Sequence, residues 1–98
     1  MPDFSFDEIL DLLDRHRQRA TYGAIGEVVK RPPLFLMAGR PRDYRHSWVV
    51  SKSTGLPTNY GREDMHPQIQ ASDVVLNTGE ELAHWLRSKR RRAASTER

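Results

Sequence analysis

Residues 21–39 read Thr21-Tyr22-Gly23-Ala24-Ile25-Gly26-Glu27-Val28-Val29-Lys30-Arg31-Pro32-Pro33-Leu34-Phe35-Leu36-Met37-Ala38-Gly39, and the fold turns on how this stretch is parsed. Thr21 is a residue type that caps helices, and Tyr22, Ile25, Val28 and Val29 return to one side at helical spacing. Pro32 and Pro33 then interrupt. The residue before a proline is pushed out of the helical region, while Pro33 suits the first position of a new helix. Leu34 to Gly39 becomes a short third helix, ended by Pro41. Gly23 and Gly26 weaken the preceding helix; close approach of a ligand or a tight helix-helix contact explains them equally well. Two short helices joined by a tight turn, after a longer one, outline a helix-turn-helix.

The longer helix lies upstream. Ser5 with Glu8 three residues on makes a capping box, Phe4 is placed to staple against Ile9, and Phe6, Ile9, Leu10 and Leu13 form an apolar face. Arg15 to Arg19 end this helix as cations near its negative pole. Downstream, Ser47 to Ser51 favours a strand, Lys52-Ser53-Thr54-Gly55 is a turn, and Leu56 to Tyr60 leads back, with Pro57 suggesting an edge. A β-hairpin in this place is a wing. Residues 61–73 read as irregular and Val74-Val75-Leu76 as a short strand. Thr78 with Glu81 opens a last helix that buries Leu82, Trp85 and Leu86. The expected fold is α+β: a winged helix-turn-helix with three N-terminal helices, a β-hairpin wing and a C-terminal helix. It occupies 1–88 as one domain, and 89–98 form a basic tail without apolar periodicity, expected to be disordered.

Ninety-eight residues, 37% of them hydrophobic, support one modest core. No apolar run approaches the roughly 18 residues of a membrane span, and Met1-Pro2-Asp3 lacks the basic start of a secretory leader. A soluble, cytoplasmic protein is expected. The absence of cysteine removes disulfides, thiolate metal sites and cysteine nucleophiles together. The net charge of +3 conceals segregation. Residues 1–14 carry five acids and no base, residues 15–62 ten bases against Glu27 and Asp43, residues 63–86 five acids and no base, and residues 87–98 six bases against one acid. A basic middle is the footprint of a polyanion binder; acids folded back onto the bases are the alternative.

Thr21-Tyr22-Gly23-Ala24-Ile25, then Met37-Ala38-Gly39, then His46-Ser47-Trp48-Val49-Val50 and a Gly55-Leu56 turn reaching Tyr60 give an order of motifs. Over roughly residues 6–60 this order resembles the winged-helix DNA-binding domain of the O6-alkylguanine-DNA alkyltransferase family, and in kind its cysteine-less alkyltransferase-like members. The resemblance implies that Tyr22 presses on a phosphate and helps rotate a nucleotide out of the stack. It places Leu36, Met37, Ala38 and Gly39 in the groove and Tyr60 beside a base pocket. His46 stands where the family has its reactive cysteine, Ser47 replaces the activating histidine, Trp48 the arginine, and Arg45 the proline. Alkyl transfer needs a thiolate, so transferase chemistry is excluded. Leu36 holds the place of the family's intercalating arginine; an apolar wedge replaces it only in part.

The candidate DNA contacts are therefore Tyr22, Leu36, Met37, Ala38, Gly39, Arg40, Arg42, Arg45 and Lys52, and the candidate base pocket is His46, Trp48 and Tyr60. Trp48 also reads as core, and Tyr22 as an ordinary helix-turn-helix core residue. The expected function is non-enzymatic binding of double-stranded DNA, extending to alkylated guanine in repair, with a repair protein as a further partner. A protein-interaction module is the alternative. No cofactor or metal is expected: His16, His46, His66 and His84 show no ligand spacing. A ββα nuclease would need a helix after His66, where Pro67 stands.

Overall fold

A computed structural model of the chain describes residues 4–32, 39–40, 43–58, 60–70 and 74–96. Helix α1 (Phe6–His16) starts as its capping box dictates, the Glu8 amide donating to Ser5 Oγ at 3.1 Å. It buries Ile9, Leu10, Leu12 and Leu13 on the side from which Phe4 also joins the core. The helix closes on Arg17 in the left-handed conformation (φ 52°), with the Gln18 amide returning to the Leu13 carbonyl at 3.0 Å. Arg19 is consequently not helical. It opens strand β1 (Arg19–Thr21), which is buried at all three positions.

Strands β2 (Val49–Val50) and β3 (Val75–Leu76) flank β1 in the order β2-β1-β3, both parallel to it. Ala20 faces Val49 and Thr21 faces Val50 on one side; Arg19 faces Val75 and Ala20 faces Leu76 on the other. This overturns the winged helix. The expected wing had Val49 and Val50 pairing with a returning antiparallel strand, whereas they pair with β1, and residues 56–58 form no strand. The physical reason is that Val49 and Val50 are both fully buried. A hairpin strand with one solvated face alternates, while strands buried on both faces belong to parallel sheets. The turn itself exists: the Gly55 amide donates to the Ser51 carbonyl at 2.8 Å and the Ser51 amide to Leu56 at 3.0 Å. The expected third helix over 34–39 falls, apart from Gly39, outside the described residues.

Helix α2 (Tyr22–Val29) follows β1 without a loop, because Thr21 is both the last strand residue and the N-cap, its Oγ1 accepting from the Ala24 amide at 3.1 Å. Helix α3 (Gly79–Thr96) begins at the expected capping box. The Glu81 amide donates to Thr78 Oγ1 at 3.1 Å, and the Thr78 amide to Glu81 Oε1 at 3.2 Å. The helix passes residue 88 and continues to Thr96. Leu82 and Leu86 are fully buried and Trp85 partly so. Glu27 of α2 caps α3, its Oε2 accepting from the Gly79 amide at 3.0 Å. A Cβ on residue 79 would stand 2.5 Å from the Glu27 Cβ, so only glycine permits this approach.

All three strands run the same way, so their C-terminal ends share one edge of the sheet. From that edge leave α2, the turn after β2, and the segment that opens α3.

Candidate nucleic-acid interface

Tyr22 and Ser51 follow the paired residues Thr21 and Val50, so α2 and the 51–58 turn leave the sheet side by side. Two bonds fasten the turn there. The Thr58 amide donates to the Tyr22 hydroxyl at 3.3 Å, and Arg19 Nη1 donates to the Gly55 carbonyl at 2.8 Å. Gly55 itself has φ +71°, which other residues adopt only with strain. Lys52 is exposed on this anchored turn. Gly23, in the first turn of α2, is also exposed, and a Cβ there would meet nothing within 4 Å. α1 and α3 carry acids in their first turns, whereas α2 carries none. A helix N-terminus without first-turn acids favours an anion, because amide donors and the helix dipole act together; here the Ala24 amide is already taken by Thr21 Oγ1, which leaves those of Tyr22 and Gly23.

The two described arginines expected to meet phosphate are paired with acids of α1. Arg40 Nη1 donates to Asp7 Oδ1 at 2.9 Å and lies 3.4 Å from His46 Nε2, with its guanidinium 4.5 Å from the Phe6 ring centre. Arg45 Nε donates to Asp11 Oδ1 at 2.8 Å, and its Nη2 donates to the Asp7 carbonyl at 3.0 Å and to Asp7 Oδ1 at 3.4 Å. The bond from Arg40 is the main cause holding the Asp7 carboxyl below its ordinary range, against some desolvation. Partial burial works against the Arg45 charge, but the Asp11 and Asp7 carboxylates outweigh it and raise its pKa. In contrast, Arg15, Arg17, Lys30, Arg31 and Lys52 are exposed and form no ion pair with a described residue. Leu36, Met37, Ala38 and Arg42 lie outside the described residues; Gly39 is exposed with φ +73°.

The expected base pocket is filled by the protein. Trp48 has no exposed surface and His46 is 3% exposed. Trp48 Nε1 donates to Asp14 Oδ1 at 2.9 Å, and its ring packs 4.9 Å from that of His66. A base stacked on Trp48 would require the core to open. His46 and Tyr60 instead converge on Asp43. The His46 amide donates to Asp43 Oδ1 at 2.9 Å, Nδ1 lies 2.7 Å from the same oxygen, and the Tyr60 hydroxyl donates to the Asp43 carbonyl at 3.3 Å. A guanidinium only donates, so Nε2 is the acceptor toward Arg40 and Nδ1 the donor toward Asp43. Desolvation pushes the Asp43 carboxyl up, but the His46 bonds outweigh it and its pKa is lowered.

The sequence offered acids folded back onto the bases only as an alternative and named none of Asp7, Asp11, Asp14 and Asp43 as a partner. The signal was present in part: Asp7, Asp11 and the bases are charges of opposite sign, and Asp7 and Asp11 are one helical turn apart. Near them an open depression of about 530 Å³ is lined by Asp14, Asp43, Tyr44, Arg45, Glu63 and Asp64. Four carboxylates against one guanidinium make it acidic, and Tyr44 is 48% exposed at its wall.

Among the described residues no group of three His, Asp or Glu side chains is arranged to hold a metal ion. None of the described helices is long and apolar enough to cross a membrane. No family model matches the chain, and no curated protein or solved structure is significantly similar to it.

Proposed function

We propose that the protein is a non-enzymatic DNA-binding module that holds the phosphate backbone of a duplex at the edge where α2 and the 51–58 turn leave the sheet. The observation that carries this is the bond from the Thr58 amide to the Tyr22 hydroxyl, which keeps the open first turn of α2 and the Lys52 turn together. Amides of the helix start and the Lys52 ammonium are the phosphate contacts. Arg15, Arg17, Lys30, Arg31 and Lys52, exposed and without an ion pair to a described residue, favour a polyanion as the ligand, since every neutralised phosphate releases condensed counterions. Recognition of an alkylated base is no part of the proposal, because Trp48 and His46 are packed inside the core.

The test is fluorescence anisotropy with a labelled duplex of about 20 base pairs over a range of salt. The affinity should fall steeply, by about 0.9 log units per decade of salt for each phosphate contacted, and Lys52→Gln should make the slope shallower by about one contact. Absence of binding at low salt, or an affinity indifferent to salt, would overturn the proposal.

A protein-interaction module remains the second reading, favoured by the acidic depression and the exposed Tyr44 ring, which suit a basic peptide segment. Arginine-rich peptide bound through Glu63 and Asp64, with no competition from duplex DNA, would select it.

A further inference from the structure

We infer that Asp7 and Asp11 act as a built-in phosphate substitute, capping Arg40 and Arg45 until the backbone of a bound duplex displaces them. The inference rests on the DNA-binding proposal and adds a second, gated pair of contacts to it.

The layering of the four side chains is the first support. Asp7 and Asp11 are 62% and 65% exposed, whereas Arg40 and Arg45 are 29% and 32% exposed. The carboxylates are the solvent-facing cover and the guanidinium groups lie beneath them. A phosphate arriving from solvent would occupy the place the carboxylates now fill, with the same bonds from the planar guanidinium fork.

The second support is that the arginines are anchored independently of those carboxylates. Arg40 lies over the Phe6 ring and against His46 Nε2, and Arg45 Nη2 donates to the backbone carbonyl of Asp7. Rotating the two acids outward therefore leaves both guanidinium groups in position. Exposed ion pairs of this kind are individually weak, so a polyanion offering several phosphates at once can compete for them. The contacts are unequal. Arg45 borders the depression formed by Asp14, Asp43, Glu63 and Asp64, which repels phosphate, so Arg40 makes the stronger contact.

Anisotropy titrations of duplex DNA test the cap in four proteins: the unaltered chain, Asp7→Asn with Asp11→Asn, Asp73→Asn with Glu97→Gln as a control of equal charge change, and the Asp7/Asp11 variant further changed by Arg40→Gln. The Asp7/Asp11 variant should bind about 3- to 10-fold more tightly than the control, with a salt slope steeper by one to two phosphate contacts. Arg40→Gln should remove most of that gain. Equal tightening in the control, or an unchanged slope, overturns the cap while leaving DNA binding intact. Failure of all four proteins to bind overturns the DNA-binding proposal and the cap with it.

Discussion

The Trp48 indole nitrogen donates to Asp14 Oδ1 at 2.9 Å, joining the residue that precedes β2 to the last turn of α1. Trp48 is wholly buried, and this bond satisfies its single polar atom. Trp48→Ala should cost about 3–5 kcal/mol through lost burial and the cavity left behind. Asp14→Ala should cost about 1–3 kcal/mol, although Asp14 is only half-buried, because it orphans the buried N–H. Asp14→Asn keeps an acceptor and should cost less. Urea unfolding measures the three; a cost below 1 kcal/mol for Trp48→Ala would show that the indole is not in the core.

Gly79 and Glu27 should prove coupled. The Glu27 carboxylate caps α3 and its Cβ leaves no space for a side chain at 79. Gly79→Ala should therefore destabilise by about 1–3 kcal/mol through overpacking. In a Glu27→Gly background both the Cβ and the carboxylate that crowd position 79 are gone, so the added cost of Gly79→Ala should shrink. A double-mutant cycle reads the difference; strict additivity would contradict the close approach.

The two capping boxes, Ser5 with Glu8 and Thr78 with Glu81, were legible in the sequence because each is settled within four residues. The sheet was legible only in part: Val49–Val50 and Val75–Leu76 fall within stretches that read as strands, but β1 hides behind Arg17 and Arg19, cations that read as a helix end, and nothing local announces the parallel pairing. The same blindness affected the interface. Arg40 and Arg45 looked like phosphate contacts because nothing local reveals carboxylates 33 and 34 residues upstream. Tyr22 and Lys52 were singled out one by one; only the parallel pairing of β1 with β2 brings them to a common edge.

Acid should weaken the fold through Asp7 and Asp43. Both carboxyls have pKa values lowered below 3.8 in the folded chain, Asp7 chiefly by its Arg40 bond and Asp43 by His46 against the opposing desolvation. A depressed folded-state pKa means that the unfolded chain takes up protons first as pH falls. The stabilisation is therefore complete above the unfolded value near 3.8 and disappears as pH drops through the folded values below it. Urea midpoints measured from pH 6 to pH 2.5 should fall mainly below about pH 4. Asp7→Asn should flatten that fall, and an Asp7→Asn profile parallel to the parent would refute the contribution of the Arg40 pair.

Gly23→Asp should move stability and DNA affinity in opposite directions. Position 23 has open space around its Cβ, and helical backbone in the first turn accepts any L residue, so the substitution creates no clash. A carboxylate in the first turn suits the helix dipole, and leaving glycine removes its entropic cost; together these should stabilise the fold by about 0.5–1.5 kcal/mol. The same carboxylate would stand where a phosphate is proposed to bind and should weaken duplex affinity at least 10-fold. Gly23→Asn controls for size without charge and should retain most of the binding. Thermal unfolding and anisotropy on the same samples separate the two effects. A Gly23→Asp protein that is more stable and binds DNA as tightly as its parent would remove the N-terminal turn of α2 from the interface.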